Sequence, residues 1–319
     1  MNQTVGFIGL GKMGMPMARN LLNNGYHVIG TDVHDCAKVE FESYGGTSGK
    51  IIDWIHNVQN IILMLPSSTI VNQIIDEINE HYDPTQHTQQ EPLTIIDMSS
   101  SYPSETRKNE SKLQEKNIKI IDAPVSGGVK KAISATLTIM VGGNPETFAN
   151  CKRLLESMGN NIFHVGPIGS GHLIKAINNF LSATHLLASC EAVQLLEEFE
   201  VDPATAVNVF NQSTGRSGST EYKFPAFILS ESYDSGFSLD LLKKDVQMAT
   251  QLFLDSKADT SLPGLVFDRF NEASTTLSKE ADHTEIYQYV SSYLLLQRGK
   301  TNEKDEKNSN VRADSSISF

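Results

Sequence analysis

The spacing of apolar positions changes once along the chain. Up to about residue 168, short apolar runs alternate with segments of helical period; beyond it only helical spacing remains. The runs predict strands at 5–8, 27–31, 60–65, 93–97, 118–122, 135–141 and 161–165. Between them the spacing predicts helices at 16–23, 70–78, 104–116 and 145–158, and residues 81–92 are polar enough to be a surface loop. Strands alternating with helices imply an α/β domain built on a doubly wound, mostly parallel sheet. Ligands of such sheets bind beyond the carboxyl ends of the strands, which draws attention to Leu65, Pro66, Ser99 and Ser100.

Between Gly169 and Val201 the pattern is one long helix. Leu173, Ile177, Phe180, Leu187, Ala188, Ala192, Leu195, Leu196 and Phe199 recur at its period, with no proline before Pro203. About 29 helical residues would be roughly 43 Å long, enough for a spine joining two domains. Lys175 and Asn179 lie four apart, so they share one face of it. Taken alone the pair reads as a solvated lysine and a capping or surface asparagine; what lies before the helix reverses that reading. Further helices are predicted at 203–211, 239–257, 263–278 and 282–298, with a loop at 213–220. The expected organisation is a sheet domain at 1–168, an all-helical domain at 169–298 and a polar, disordered tail at 299–319.

Composition narrows the function. The chain has 319 residues and a formal charge of −12, which argues against nucleic acid or an anionic membrane as the main partner. No apolar run approaches the length of a membrane span. Cys36, Cys151 and Cys190 are scattered, with no metal-like spacing, so no metal site is expected; buried, unpaired thiols in a reducing, cytoplasmic setting are expected.

The first strand runs straight into Gly9-Leu10-Gly11-Lys12-Met13-Gly14, and the second ends at Asp32. Strand, G-x-G-x-x-G, helix and then an acid about 20 residues on is the dinucleotide-binding arrangement known as the Rossmann fold. Gly9 permits the tight turn, Gly11 lets backbone approach a pyrophosphate, and Gly14 lets helix and strand pack closely. Asp32 can accept both hydroxyls of an adenosine ribose and would repel a 2′-phosphate, which selects NAD over NADP. At the end of the 118–122 strand stands Asp122-Ala123-Pro124-Val125-Ser126-Gly127-Gly128. Adjacent glycines after a serine can expose N–H groups to a carboxylate, or can simply be a flexible turn.

Together these segments resemble the β-hydroxyacid dehydrogenase family over residues 4–298. Four motifs carry the resemblance in order: Gly9 to Gly14, Asp122 to Gly128, Gly169-Ser170-Gly171 with Lys175 and Asn179, and Lys244-Asp245. The resemblance implies that Lys175 is the catalytic lysine and that Asn179 helps hold the substrate. It implies that Ser126, Gly127 and Gly128 bind the substrate carboxylate, and that Lys244 lies near the nicotinamide. Gly9, Gly11, Lys12, Met13, Gly14, Asp32, Leu65, Pro66 and Ser100 would contact the cofactor. It also implies a homodimer or homotetramer. Ala135 stands where many members have glycine, which would alter the turn after the substrate loop, and Gly218 stands where tryptophan is common, which would open the substrate pocket. Val129-Lys130-Lys131-Ala132 looks closer to sugar-acid members such as L-threonate dehydrogenase.

The implied reaction is NAD-dependent oxidation of a small hydroxy acid, with Lys175 taking the alcohol proton. A free lysine, with a pKa of roughly 10.4, is a poor base at neutral pH; desolvation or neighbouring positive charge must make it able to shed its proton. Two alternatives stand beside this: reduction of tartronate semialdehyde by NADH, and a non-catalytic NAD-binding sensor or scaffold of the same fold.

Overall fold

The structure, a computed structural model, describes residues 3–258 and 260–293. The 299–319 tail lies outside the described residues. The chain divides into two compact units, Met1–Asn178 and Asn179–Phe319.

The first unit is built on a nine-stranded sheet. Its strands are β1 (Thr4–Ile8), β2 (His27–Thr31), β3 (Thr47–Ser48), β4 (Asn60–Leu63), β5 (Thr94–Asp97), β6 (Lys119–Asp122), β7 (Val125–Ser126), β8 (Leu137–Gly142) and β9 (Gly159–Gly166). The spatial order is β3-β2-β1-β4-β5-β6-β8-β7, with β9 beside β8. From β3 to β6 every pairing is parallel; β8 runs against β6 and β7, and β9 runs with β8. The parallel strands end level: Ile8 pairs with both Thr31 and Leu63, Leu63 with Asp97, and Asp97 with Asp122. That registry sets two acids, Asp97 and Asp122, side by side at one edge of the sheet.

Alternation along the strands sends side chains to two cores. Val5, Phe7, Ile62, Ile96 and Ile121 face one core with α1 (Gly14–Asn23), α6 (Gly128–Ile133) and α7 (Pro145–Glu156). Ile8, Ile61, Leu63, Ile95 and Ile120 face the other with α3 (Ile51–Trp54), α4 (Ser68–His81) and α5 (Pro103–Gln114). Strands buried on both faces are continuous apolar runs, which is why they were legible in the sequence. The 35–43 segment is also helical, as α2 (Asp35–Ser43), although only Phe41 is buried on it; its charged surface hid the period. Residues 135–136 were expected in β8 but form the turn before it. Ala135 sits at φ +55°, a left-handed conformation that glycine adopts more easily.

Local chemistry sets the helix starts. The Ser67 hydroxyl caps α4 by accepting from the Ile70 N–H, and Asn144 caps α7 by accepting from Glu146 and Thr147, with Pro145 at the first helical position. The second unit takes up α8 (Ser170–Glu198) from Asn179, then α9 (Pro203–Asn211), α10 (Leu239–Asp255) and α11 (Ser261–Thr276), and a last helical stretch at 286–293. Leu186, Cys190, Val193, Phe224, Val246, Phe270 and Ile286 are fully buried in it. The 213–220 segment was expected to be loop throughout; a wide helix with a five-residue hydrogen-bonding period begins at Ser219 and runs to Ile228. Pro225, inside it, supplies no N–H, and the widened turns tolerate that gap. A period longer than 3.6 does not register as helical spacing, which is why it was missed. No helix among the described residues is long and apolar enough to cross a membrane.

Candidate functional site

In the first unit the glycine turn follows β1. A Cβ on Gly9, which has φ +100°, would overlap the Met64 carbonyl oxygen, and one on Gly14 would overlap the Gly9 carbonyl oxygen. A Cβ on Gly11 would meet nothing within 4 Å. Packing therefore explains Gly9 and Gly14, while the bare backbone at Gly11 faces open space, as a docking pyrophosphate needs. Lys12 is exposed and Met13 half-buried at the mouth of α1. At the end of β2, Asp32 accepts from the Leu10 N–H at 2.7 Å and from the His34 N–H at 2.8 Å. The carboxylate thus braces the glycine turn, and each oxygen keeps a lone pair for a ribose hydroxyl. These residues fit a bound dinucleotide.

The ends of β4 and β5 are tied together by a side chain that the sequence reading had left among cofactor candidates. Ser99, buried, accepts from the Leu65 N–H at 2.9 Å, while its own N–H donates to Asp97. Leu65 is half-buried, Pro66 exposed and Ser100 half-buried at that edge.

Beyond β6 the chain makes β7 and enters α6. Ser126 is half-buried, and Gly127 and Gly128 are exposed with φ +132° and +68°. A Cβ on Gly128 would meet nothing within 4 Å, whereas one on Gly127 would strike the stem of Lys131. The turn therefore presents open backbone beside two lysines, Lys130 and Lys131.

What anchors the start of α8 is Asp122, which is fully buried. It accepts from the Gly169 N–H at 2.7 Å and from the His172 N–H at 2.8 Å. A helix N-terminus has unsatisfied donors and a positive dipole end, so a buried carboxylate is held there without a cation. Gly171 packs so closely that a Cβ on it would overlap the Met140 carbonyl oxygen. One turn on, the helix carries Lys175, half-buried. His172, also buried, is hydrogen-bonded through Nδ1 to the Thr106 hydroxyl at 2.8 Å, and its Nε2 lies 3.7 Å from Asp97. Asp97, Thr106 and His172 were not singled out from the sequence, and Asp122 entered only as the first residue of its motif, with no role of its own. An acid closing an apolar strand is the only signal that could have found the two acids.

In the second unit Asn179 is buried and donates to Asp245 Oδ2 at 2.6 Å; Lys244 pairs with Asp245 Oδ1 at 3.3 Å. Two residues 65 apart, named as separate candidates, are thus joined through one buried acid. Among the described residues no grouping of three or more His, Cys, Asp or Glu side chains could hold a metal ion.

Comparison with known proteins fits this arrangement. Residues 4–166 match the NAD binding domain of 6-phosphogluconate dehydrogenase, and residues 169–290 the NAD-binding region of NADP-dependent 3-hydroxyisobutyrate dehydrogenase. The chain belongs to the β-hydroxyacid dehydrogenase family. Among its relatives, a 2-(hydroxymethyl)glutarate dehydrogenase of Eubacterium barkeri is 35% identical over 77% of this chain and 81% of its own. The mitochondrial 3-hydroxyisobutyrate dehydrogenase of Mus musculus is 31% identical over 90% of this chain and 86% of its own. A solved Mycobacterium tuberculosis 3-hydroxyisobutyrate dehydrogenase with L-serine superposes with a TM-score of 0.83 at 26% identity, covering 91% of this chain and 99% of that one. As a member of this family the chain is an NAD-dependent oxidoreductase acting on CH–OH groups of hydroxy acids.

Proposed function

We propose that the protein oxidises a small hydroxy acid, either a sugar acid such as L-threonate or an acid of the 3-hydroxyisobutyrate kind, with Lys175 as acid and base. The observation that carries this reading is the capping of α8 by Asp122 through the Gly169 and His172 N–H groups. It holds the lysine-bearing turn to the strand end from which Ser126, Gly127 and Gly128 depart.

NAD, when bound, supplies the hydride acceptor. Every other task falls to the chain. Gly9, Gly11, Lys12, Met13 and Gly14 receive the pyrophosphate, and Asp32, Leu65, Pro66 and Ser100 the adenosine side. Ser126 and the N–H groups of Gly127 and Gly128 hold the substrate carboxylate. Asn179, fixed by Asp245, holds the substrate, and Lys244 lies by the nicotinamide. Lys175 Nζ takes the alcohol proton as the carbonyl forms, and returns one in reduction. A homodimer or homotetramer in the cytoplasm completes the reading; the free thiols Cys151 and Cys190, both buried, suit a reducing compartment, while Cys36, expected buried as well, is exposed on the charged helix α2.

The test is Lys175→Ala. General acid–base catalysis contributes about 10²–10⁴-fold, so turnover should fall at least a hundredfold while NAD binding, read by titration, stays unchanged. Turnover near the unmodified level would refute the assignment.

A further inference from the structure

One buried side chain of the first unit touches three elements and has no part in the chemistry described so far. The His172 side chain, in the first turn of α8, is 0% exposed. Its Nδ1 meets the Thr106 hydroxyl of α5 at 2.8 Å and lies 3.8 Å from Asp122 Oδ2 at the end of β6. Its Nε2 lies 3.7 Å from Asp97 Oδ2 at the end of β5 and has no hydrogen-bond partner among the described residues. The 2.8 Å contact is shorter than the 3.2 Å between the same hydroxyl and the Tyr102 carbonyl oxygen, so the hydroxyl donates to Nδ1. Nε2 then carries the ring hydrogen and presents it to Asp97, the tautomer that a buried carboxylate favours.

The two acids beside the ring shape different pieces of the proposed machinery. Asp97 accepts from the Ser99 N–H at 3.0 Å and from the Ser101 hydroxyl at 2.9 Å, and so shapes the loop that carries Ser100. Asp122 accepts from the Gly169 and His172 N–H groups and so fixes the tip of α8. Thr106 stands in the first turn of α5, directly after the Ser100 loop. A cap at its tip leaves a helix free to roll about its own axis. A ring wedged between the end of β5 and the first turn of α5 stops that roll. Lys175, three residues on, lies on the neighbouring flank of the same helix and would move with it.

We propose that His172 is a positioning residue for the reaction, locking the turn that carries Lys175 against the loop that carries Ser100. The inference rests on the proposed function, because it takes Lys175 as acid and base and Ser100 as a cofactor contact. With no exposed atom, the imidazole touches neither substrate nor cofactor. It acts by setting where the lysine amine stands, and a misplacement of about 1 Å can cost roughly 10²-fold in rate.

Steady-state kinetics with NAD and whichever of L-threonate and 3-hydroxyisobutyrate turns over faster test this, each variant at a temperature where circular dichroism shows it folded. His172→Leu should lower kcat about tenfold or more, with KM for the acid and for NAD within about threefold. His172→Gln, whose amide N–H stands where Nε2 stands, should keep kcat within about threefold of the unmodified enzyme. Thr106→Val frees Nδ1 and should lower kcat about threefold or more; it replaces His172→Leu should that variant fail to fold. In a Lys175→Ala background His172→Leu should cost less than about twofold further, because residues that act through one another are not additive. A loss confined to folding would be the same in both backgrounds. An unchanged kcat in the folded His172→Leu or Thr106→Val variant, a His172→Gln variant as slow as His172→Leu, or an equal loss with and without Lys175 would overturn the proposal. Normal turnover in Lys175→Ala, or none with either acid in the unmodified enzyme, would instead sink the catalytic reading on which it rests.

Discussion

Asn179 donates its Nδ2 hydrogen to Asp245 Oδ2 at 2.6 Å, and the other oxygen of that buried carboxylate faces Lys244 at 3.3 Å. The amide oxygen of Asn179 is thereby oriented, and the lysine is tethered. Asp245→Asn keeps the shape and removes the charge. A hydrogen bond to a charged group contributes about 1.5–3 kcal/mol, so kcat/KM should drop roughly 10- to 150-fold. Unchanged kcat/KM in this variant would show that neither residue needs the acid.

The three glycines of the turn after β1 should respond differently to a methyl group. Gly14→Ala forces a Cβ onto the Gly9 carbonyl oxygen, and overpacking costs about 1–3 kcal/mol, so its melting temperature should fall. Gly11→Ala meets nothing within 4 Å. It should melt like the unmodified enzyme and yet bind NAD at least about tenfold more weakly, because the methyl stands where phosphate would approach. An alanine at Gly11 without effect on NAD binding would place the cofactor elsewhere.

Asp32 should decide the choice of cofactor. The unmodified enzyme is expected to prefer NAD, since a carboxylate repels a 2′-phosphate. Asp32→Ser should raise KM for NAD by about tenfold or more and narrow the gap to NADP. Steady-state kinetics with both cofactors check this, and a native preference for NADP would contradict it.

The sequence by itself determined the sheet of the first unit, because strands buried on both faces must be apolar throughout, and the long helix α8, because its apolar period runs unbroken to Pro203. It determined the glycine turn, because a tight turn and close packing each demand glycine at a fixed spacing, and it put Asp32 at the end of β2, where the acid braces that turn. Tertiary structure alone decided which side chains complete those motifs. Asp122 is a strand residue in the sequence and becomes the cap of α8 only when β6 ends beside Gly169 and His172. Asp245 meets Asn179 across 66 residues of chain, and Lys223 reaches Ser182 across 41. Hydrogen bonds and desolvation act through space, and no local period records which distant donor will meet which acceptor.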